Sequence, residues 1–193
     1  MPPDDPLVRF TELFGRAARS APFDHTAAAL ATAAAGGAPS VRTVLVRYVD
    51  QRGFAFFTSY ESRKAREMAA NPKAALCFYW PWIDEQVRAE GIVTRLDADE
   101  SDVYFASRPR GSQIGAWASR QSEPLSSRRE LDSRWREVEG RFEGRPVPRP
   151  SNWGGFRLAP ERIEFWKAGE FRLHDRSLYT RAGATWSVVA LYP

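Results

Sequence analysis

Strand-like segments outnumber helical ones in this 193-residue chain, and the links between them are often too short for parallel crossovers. A strand that returns parallel to its predecessor needs a crossover of a dozen residues or more. Val41–Tyr48 and Phe54–Thr58 are divided only by the turn Asp50-Gln51-Arg52-Gly53, which reads as a hairpin. Ala74–Trp80 and Gln86–Leu96 are linked across Pro81. The pattern predicts a mainly β, α+β chain: an antiparallel barrel decorated by helices.

Leu7, Phe10, Leu13, Phe14 and Ala17 recur three and four apart, which predicts an amphipathic helix over residues 5–19. Thr26–Ala34 is a small-residue strand that ends at Gly36-Gly37-Ala38-Pro39. Ser62–Ala70 reads as a helix stopped by Asn71-Pro72. Asp97-Ala98-Asp99-Glu100 and Ser127-Arg128-Arg129-Glu130 both have the capping-box pattern. The first opens a helix that runs to about Ser107, before Pro109; the second opens one with Leu131, Trp135 and Val138 on one face. A short helix is predicted near Gln113–Ala118, and the proline-rich stretch 144–153 is read as a loop. Gly155–Tyr192 reads as four short strands with turns near Pro160, Gly169 and Gly183. A C-terminal piece of about 40 residues is too small to fold alone, so residues 1–193 are expected to form one domain.

No apolar run approaches the ~18 residues needed to span a bilayer. The start, Met1-Pro2-Pro3-Asp4-Asp5, lacks the apolar stretch of a secretory leader, so a cytoplasmic protein is expected. The lone cysteine, Cys77, excludes an internal disulfide and is read as a buried structural thiol. Net charge is +4, and all basic residues except Lys64, Lys73 and Lys167 are arginines. Arginine presents a planar fork that matches phosphate oxygens, although a coding bias would give the same excess. The 24 acidic residues are interleaved with the basic ones, which argues against nucleic acid as partner.

Standard catalytic motifs are missing. There is no G-x-G-x-x-G after a strand, no P-loop, no H-E-x-x-H, no cysteine pair and no G-x-S-x-G. With only His25 and His174, a multi-histidine metal site is not expected. If the chain is an enzyme, a bound organic cofactor could carry the difficult chemistry.

Four polar clusters remain. Arg42 and Arg47 are an odd number of residues apart, so on a strand they face opposite sides, and the one facing the core needs a partner. Phe57–Lys64 leads from a strand into a helix, where free N–H groups favour a phosphate; such turns are also common without one. Tyr104 and Arg108 share a helix face, with Ser112 across a turn. That set is either a phosphate grip or an ordinary helix C-terminus with arginines against the dipole. In Ile163–Arg176, Trp166 can stack on a ring or fill the core, and Arg172 and His174 project to one face if the segment is extended.

Five stretches, RTVLVR (42–47), GFAFFTSYESRK (53–64), QVRAEG (86–91), YFASRPRGSQIGAWASRQS (104–122) and WGGFRLAPERIEFWKAGEFRLHDR (153–176), carry a resemblance. Together they resemble the pyridoxine/pyridoxamine 5′-phosphate oxidase family, from about Asp5 to Pro193. SRPRGSQIGAW and EFW…RLHDR are the specific parts. The resemblance implies a split β-barrel and a homodimer with FMN at the subunit interface. It implies FMN contacts at Arg42, Thr43, Val44, Leu45, Phe57, Thr58, Arg63, Lys64, Gln86, Gln121, Ser122, Trp166 and Arg176. It implies substrate contacts at Arg47, Tyr104, Arg108, Ser112, Arg172, Leu173 and His174, with Arg172 and His174 as the catalytic wall. The family commonly has lysine where Arg47 stands.

The implied reaction oxidises phosphorylated B6 vitamers to pyridoxal 5′-phosphate, with oxygen as acceptor and hydrogen peroxide as product. The amine substrate also yields ammonia. Two other readings stay open: an FMN oxidase of another aromatic, such as a phenazine-type precursor, and a non-catalytic flavin or pyridoxal-phosphate carrier.

Overall fold

The structure, a computed structural model, describes residues Asp5–Pro193. Met1–Asp4, on which most of the leader reading rests, lie outside the described residues. Eight strands are described: β1 (Ala27–Ala33), β2 (Pro39–Asp50), β3 (Gly53–Ser59), β4 (Lys73–Trp80), β5 (Glu85–Arg95), β6 (Trp153–Lys167), β7 (Asp175–Ala182) and β8 (Thr185–Ala190). They pair in the order β3-β2-β1-β4-β5-β6-β7-β8, and β3 also pairs with β6. The first six named therefore close into an antiparallel barrel, with β7 and β8 as an extension from β6. Five helices surround it: α1 (Pro6–Arg19), α2 (Arg63–Ala70), α3 (Ala98–Ser107), α4 (Arg110–Ala118) and α5 (Arg128–Arg141). None is long and apolar enough to cross a membrane.

Alternation fills the barrel. Leu30, Val46, Phe54, Phe56, Leu76, Phe78, Trp80, Val87 and Phe165 point inward, and α1 packs Leu7, Phe10 and Leu13 against them. The predicted stripe of α1 is thus its buried face. A second cluster forms where α3, α4 and α5 meet the starts of β6 and the end of β3, around Phe105, Ile114, Phe142, Val147 and Trp153. Cys77 is half-buried on the opposite side of β4 from the core, rather than within it. The partial burial still pushes its thiol pKa upward, against the pull of Arg88.

The C-terminal region holds three strands, not four. β6 runs unbroken through Pro160 for 15 residues. Its first half pairs with β3 as far as Leu158, and its second half pairs with β7 from Arg162 onward. Pro160 sits in the gap between those partners, opposite a register shift at Glu90/Gly91 of β5. A residue with no N–H is tolerated at such a place, so no turn is needed. A Cβ at Gly91 would meet the Ala159 carbonyl oxygen at 2.0 Å, which shows how closely the strands cross there.

The capping boxes differ in outcome. Ser127 Oγ accepts from Glu130 N at 3.2 Å, as a cap should. Asp97 holds the N-cap position of α3 but accepts no capping hydrogen bond. Glu100 is drawn away to Arg52 and to the buried Arg157, at 2.7 and 3.0 Å. Arg157 also bonds Asp50 at 2.7 Å, so this ion cluster ties α3 to the β2–β3 turn and to β6.

Candidate functional site

Arg42 and Arg47 do face opposite ways: Arg42 lies on the side of Val44 and Val46, Arg47 on the outer side with Thr43 and Leu45. The partner that Arg42 requires is a carboxylate from α2. Its Nη2 bonds Glu67 Oε2 at 3.1 Å, and Ser40 Oγ as well. Its Nη1 bonds Thr32 Oγ1 at 2.5 Å and the Leu30 carbonyl at 3.3 Å. Glu67 also accepts from Thr32 and Ser40, each at 2.5 Å, and from Arg63 Nε at 2.8 Å. The hydrogen bonds from Ser40 and Thr32, then those from Arg63 and Arg42, pull its pKa down to about 2 against burial.

Beside this carboxylate lies a cation without one. Lys64 is buried, and its Nζ donates to Thr58 Oγ1 at 3.0 Å. Burial, and then the nearby Arg42 charge, lower its pKa to about 8. Gln121 and Ser122 join the same corner. Gln121 Oε1 accepts from Thr58 Oγ1 at 2.8 Å and from Ser59 N at 3.2 Å, and Ser122 Oγ accepts from Arg63 N at 3.1 Å. Ser122 takes a positive φ of 74° to reach it. Thus Arg42, Thr58, Arg63, Lys64, Gln121 and Ser122 gather at the N-terminal end of α2.

On the outer side of β2 and β3, Leu45, Arg47, Phe57, Tyr104, Ser107, Arg108, Pro109, Ser112 and Trp153 line a cavity of about 510 Å³. Among the described residues no carboxylate lines it. α3 ends at Ser107, so Arg108 is its extended C-cap rather than a helical residue; it still reaches the cavity with Tyr104. Its Nη1 is buried and has no hydrogen-bond partner among the described residues. Burial and the neighbouring Arg47 lower the Arg108 pKa, while Tyr104 acts to raise it. The Arg108 guanidinium stands 4.6 Å from the Trp153 ring centroid. Arg47 is held loosely from outside by Asp24, at 3.7 Å.

The remaining residues lie elsewhere. Gln86 pairs with Trp166, and Trp166 with Arg176, so the three form a row across β5, β6 and β7. Glu164, two residues before Trp166, is buried between Arg88 and Arg176. Burial would raise its pKa, but hydrogen bonds from those two arginines hold it below the usual carboxylate range. His174 packs on Trp166 with ring centroids 4.6 Å apart, and its Nδ1 accepts from Gly169 N at 3.2 Å. The segment that carries Arg172 is not extended. Glu170–Arg172 is a 3₁₀ turn, with positive φ at Phe171 and Arg172. The two-residue alternation predicted for Arg172 and His174 therefore fails: Arg172 and Leu173 are exposed while His174 folds back.

These groups adjoin different ends of β6. The cavity and the α2 corner sit at the Trp153 end of β6, and the Arg172–His174 turn follows its other end. Thirteen residue steps of strand separate Trp153 from Trp166, on the order of 40 Å.

The profile of the family described as pyridoxamine 5′-phosphate oxidase matches residues 15–142. The chain belongs to the pyridoxamine 5′-phosphate oxidase family. A second profile, the pyridoxine 5′-phosphate oxidase C-terminal dimerisation region, matches residues 153–193, which is β6 through β8. The far end of the site thus lies in a region of the family described by its part in dimerisation. Curated relatives named pyridoxine/pyridoxamine 5′-phosphate oxidase include one from Anaeromyxobacter dehalogenans, 62% identical over 98% of this chain and 96% of the relative. Another, from Rubrobacter xylanophilus, is 57% identical over 98% of this chain and 87% of the relative. Among solved structures, PhzG from Burkholderia lata 383 in complex with tetrahydrophenazine-1-carboxylic acid superposes with a TM-score of 0.94. It is 32% identical and covers 100% of this chain and 94% of its own.

Within this family frame, two polar groups of the site escaped sequence reasoning. Glu67 was hidden as an ordinary helix residue, and its only signal was a basic partner at i−4, Arg63. Glu164 sits on the outward side of β6 between inward Ile163 and Phe165, an alternation visible in the sequence, but its arginine partners come from β5 and β7.

Proposed function

We propose that this chain is an FMN-dependent oxidase of pyridoxamine 5′-phosphate and pyridoxine 5′-phosphate, forming pyridoxal 5′-phosphate as a cytoplasmic homodimer of one-domain chains. The observation that carries the reading is Arg108, a half-buried arginine whose Nη1 is buried and unpartnered among the described residues, on a cavity lined by Arg47, Tyr104 and Ser112 and by none of the described carboxylates. A partly desolvated cation of this kind calls for an anion, and a phosphate ester fits a fork with adjacent hydroxyls.

The α2 corner fits the phosphate of FMN. Lys64 is a buried ammonium with only a hydroxyl beside it, so an incoming dianion relieves its desolvation. Arg63, Thr58 and Ser122 complete the grip, with Gln121 holding Thr58. Four donors of Arg42 already bond within the chain, so it contributes mainly charge and shape. Of Thr43–Leu45, Leu45 lines the cavity, Thr43 is exposed on the same face, and Val44 turns into the barrel core. FMN bound there would supply the acceptor for the substrate's hydride, with oxygen as the final oxidant. The chain's own part is to seat the substrate phosphate at Arg47, Tyr104, Arg108 and Ser112, remote from the reacting carbon. Gln86, Trp166 and Arg176 of the second copy would hold the flavin from the outer face of the sheet. Arg172, Leu173 and His174, supplied by the second copy, would bound the substrate ring and orient it.

A second reading rests on the similarity to PhzG, solved with a phenazine carboxylate. A carboxylate could also meet Arg108. The experiment is an anaerobic absorption spectrum of the FMN-loaded protein. Bleaching by pyridoxamine 5′-phosphate supports the proposal. Bleaching only by a reduced phenazine carboxylate replaces it, and a yellow protein that neither compound bleaches makes the chain a carrier.

A further inference from the structure

We propose that Trp153 is a positioning residue for the substrate phosphate: its indole holds the Arg108 guanidinium in place at the cavity. The inference rests on the reading of that cavity as the phosphate seat. Arginine has a long side chain, and a guanidinium without a carboxylate partner has no ion pair to fix it. Here the anchor is aromatic. The guanidinium carbon of Arg108 is 4.6 Å from the Trp153 ring centroid and 5.6 Å from that of Phe105. Tryptophan offers the strongest aromatic face for a cation, and the contact strengthens when water is kept out.

The indole is itself held firmly. It is nearly parallel to Tyr104 (9°) and to Phe57 (13°), and those two stack at 3.8 Å. Tyr48 closes both edge-on, at 5.9 and 5.8 Å. Arg149 Nη1 bonds the Trp153 carbonyl at 2.7 Å. The two glycines after it let neighbours approach. A Cβ at Gly155 would meet Phe57 at 2.8 Å, and the Gly155 N–H donates to the buried Ser101 Oγ at 3.1 Å, which docks α3 on β6. Trp153 therefore joins β6, β3 and α3 on one wall of the cavity, with Arg108 resting on it.

Trp153 also belongs to the second core cluster, so a plain packing role must be separated from this one. A packing role lowers stability and affects every substrate alike. A positioning role discriminates by phosphate. The test uses the FMN-loaded full-length protein with Trp153→Leu and Trp153→Phe, assayed on pyridoxamine 5′-phosphate and on pyridoxamine. Trp153→Leu is expected to raise KM for the phosphate ester about tenfold relative to the unphosphorylated amine, with kcat changed less than about threefold. Trp153→Phe should restore most of the loss. An equal rise for both compounds, or an unchanged ratio, overturns the inference.

If Trp153→Leu does not fold, Trp153→Met, which keeps more of the volume and removes the aromatic face, is combined with Arg108→Met. Additive effects on KM overturn the proposal, and non-additive effects support it. If the wild type oxidises neither compound, the functional reading fails, and calorimetric binding of pyridoxal 5′-phosphate to wild type and Trp153→Leu, or Trp153→Met if the leucine variant does not fold, decides the inference alone. Weaker binding in the variant supports it; equal binding, or none to the wild type, overturns it.

Discussion

Lys64 Nζ donates to Thr58 Oγ1 at 3.0 Å and has no carboxylate beside it, although Glu67 lies three residues further along the same helix. Its ammonium is penalised by burial and by Arg42, which lowers its pKa from 10.5 to about 8. In the flavin-free protein the folded state therefore gives up this proton more easily than the unfolded one. Folding stability should rise with pH between about 8 and 10.5 from this group alone. A bound phosphate reverses the penalty, so binding takes up a proton above pH ~8. FMN affinity is expected to fall by up to tenfold per pH unit above that point, as measured by fluorescence titration. Lys64→Met should abolish that slope, weaken FMN and stabilise the flavin-free chain.

Glu67 carries the opposite sign. Its pKa is drawn down to about 2 by Ser40, Thr32, Arg63 and Arg42, below the ordinary 4.5. Its stabilising contribution is present above pH 4.5 and is lost as pH falls toward 2. Glu67→Gln should cost roughly 2–4 kcal/mol at pH 7, because Arg42 loses its ion pair, and should flatten acid unfolding in that window. Circular dichroism across pH 2–7 checks both.

The barrel was legible because its determinants are local: alternation, the turn at Asp50–Gly53 and the stripe of α1. The odd spacing of Arg42 and Arg47 was enough to set them on opposite faces. The identity of the Arg42 partner was not legible, since Glu67 is brought to it by packing of α2 on the strands rather than by spacing. Pro160 misled as a turn signal because the partner switch along β6 is a tertiary event. Arg172 and His174 misled because alternation assumes an extended chain, and Phe171 and Arg172 adopt positive φ instead. The residues of the candidate site were readable as clusters from the resemblance. Their division between the two ends of β6 appears only in three dimensions.

Arg108→Met should separate stability from function. The substitution removes a half-buried guanidinium whose buried Nη1 is unpartnered among the described residues, and keeps most of its volume. Unfolding temperature is expected to hold or rise slightly, since no ion pair is lost. KM for the phosphorylated substrate should rise by about 10- to 100-fold, the scale of a lost charge-assisted hydrogen bond, with FMN still bound. Loss of FMN with retained substrate affinity would show that the two phosphate seats have been exchanged.

Arg172→Ala combined with His174→Ala tests the wall. Arg172 is exposed, and His174 makes one ring contact and one backbone hydrogen bond, so the fold should tolerate their loss. The protein should stay yellow with an unfolding temperature near wild type. Its kcat/KM is expected to drop by about 100-fold or more if these groups orient the substrate ring. An unchanged kcat/KM would remove them from the site.

The length of β6 makes the last prediction. The Arg108 cavity and the Arg172–His174 turn adjoin its two ends, on the order of 40 Å apart along the strand, and β6 through β8 match the family's dimerisation region, so the wall is assigned to the second copy. In a two-fold pair, the grip of one copy can meet the wall of the other, and each dimer then holds two such sites. Arg108→Ala and Arg172→Ala homodimers should each be nearly inactive. After mixing and subunit exchange, a mixed dimer has one site with both defects and one with neither. With half the dimers mixed, about a quarter of wild-type sites should return, read as recovered oxidase activity. If no activity returns although mass spectrometry shows mixed dimers, each site is built from one chain, and the assignment of the wall to the second copy is wrong.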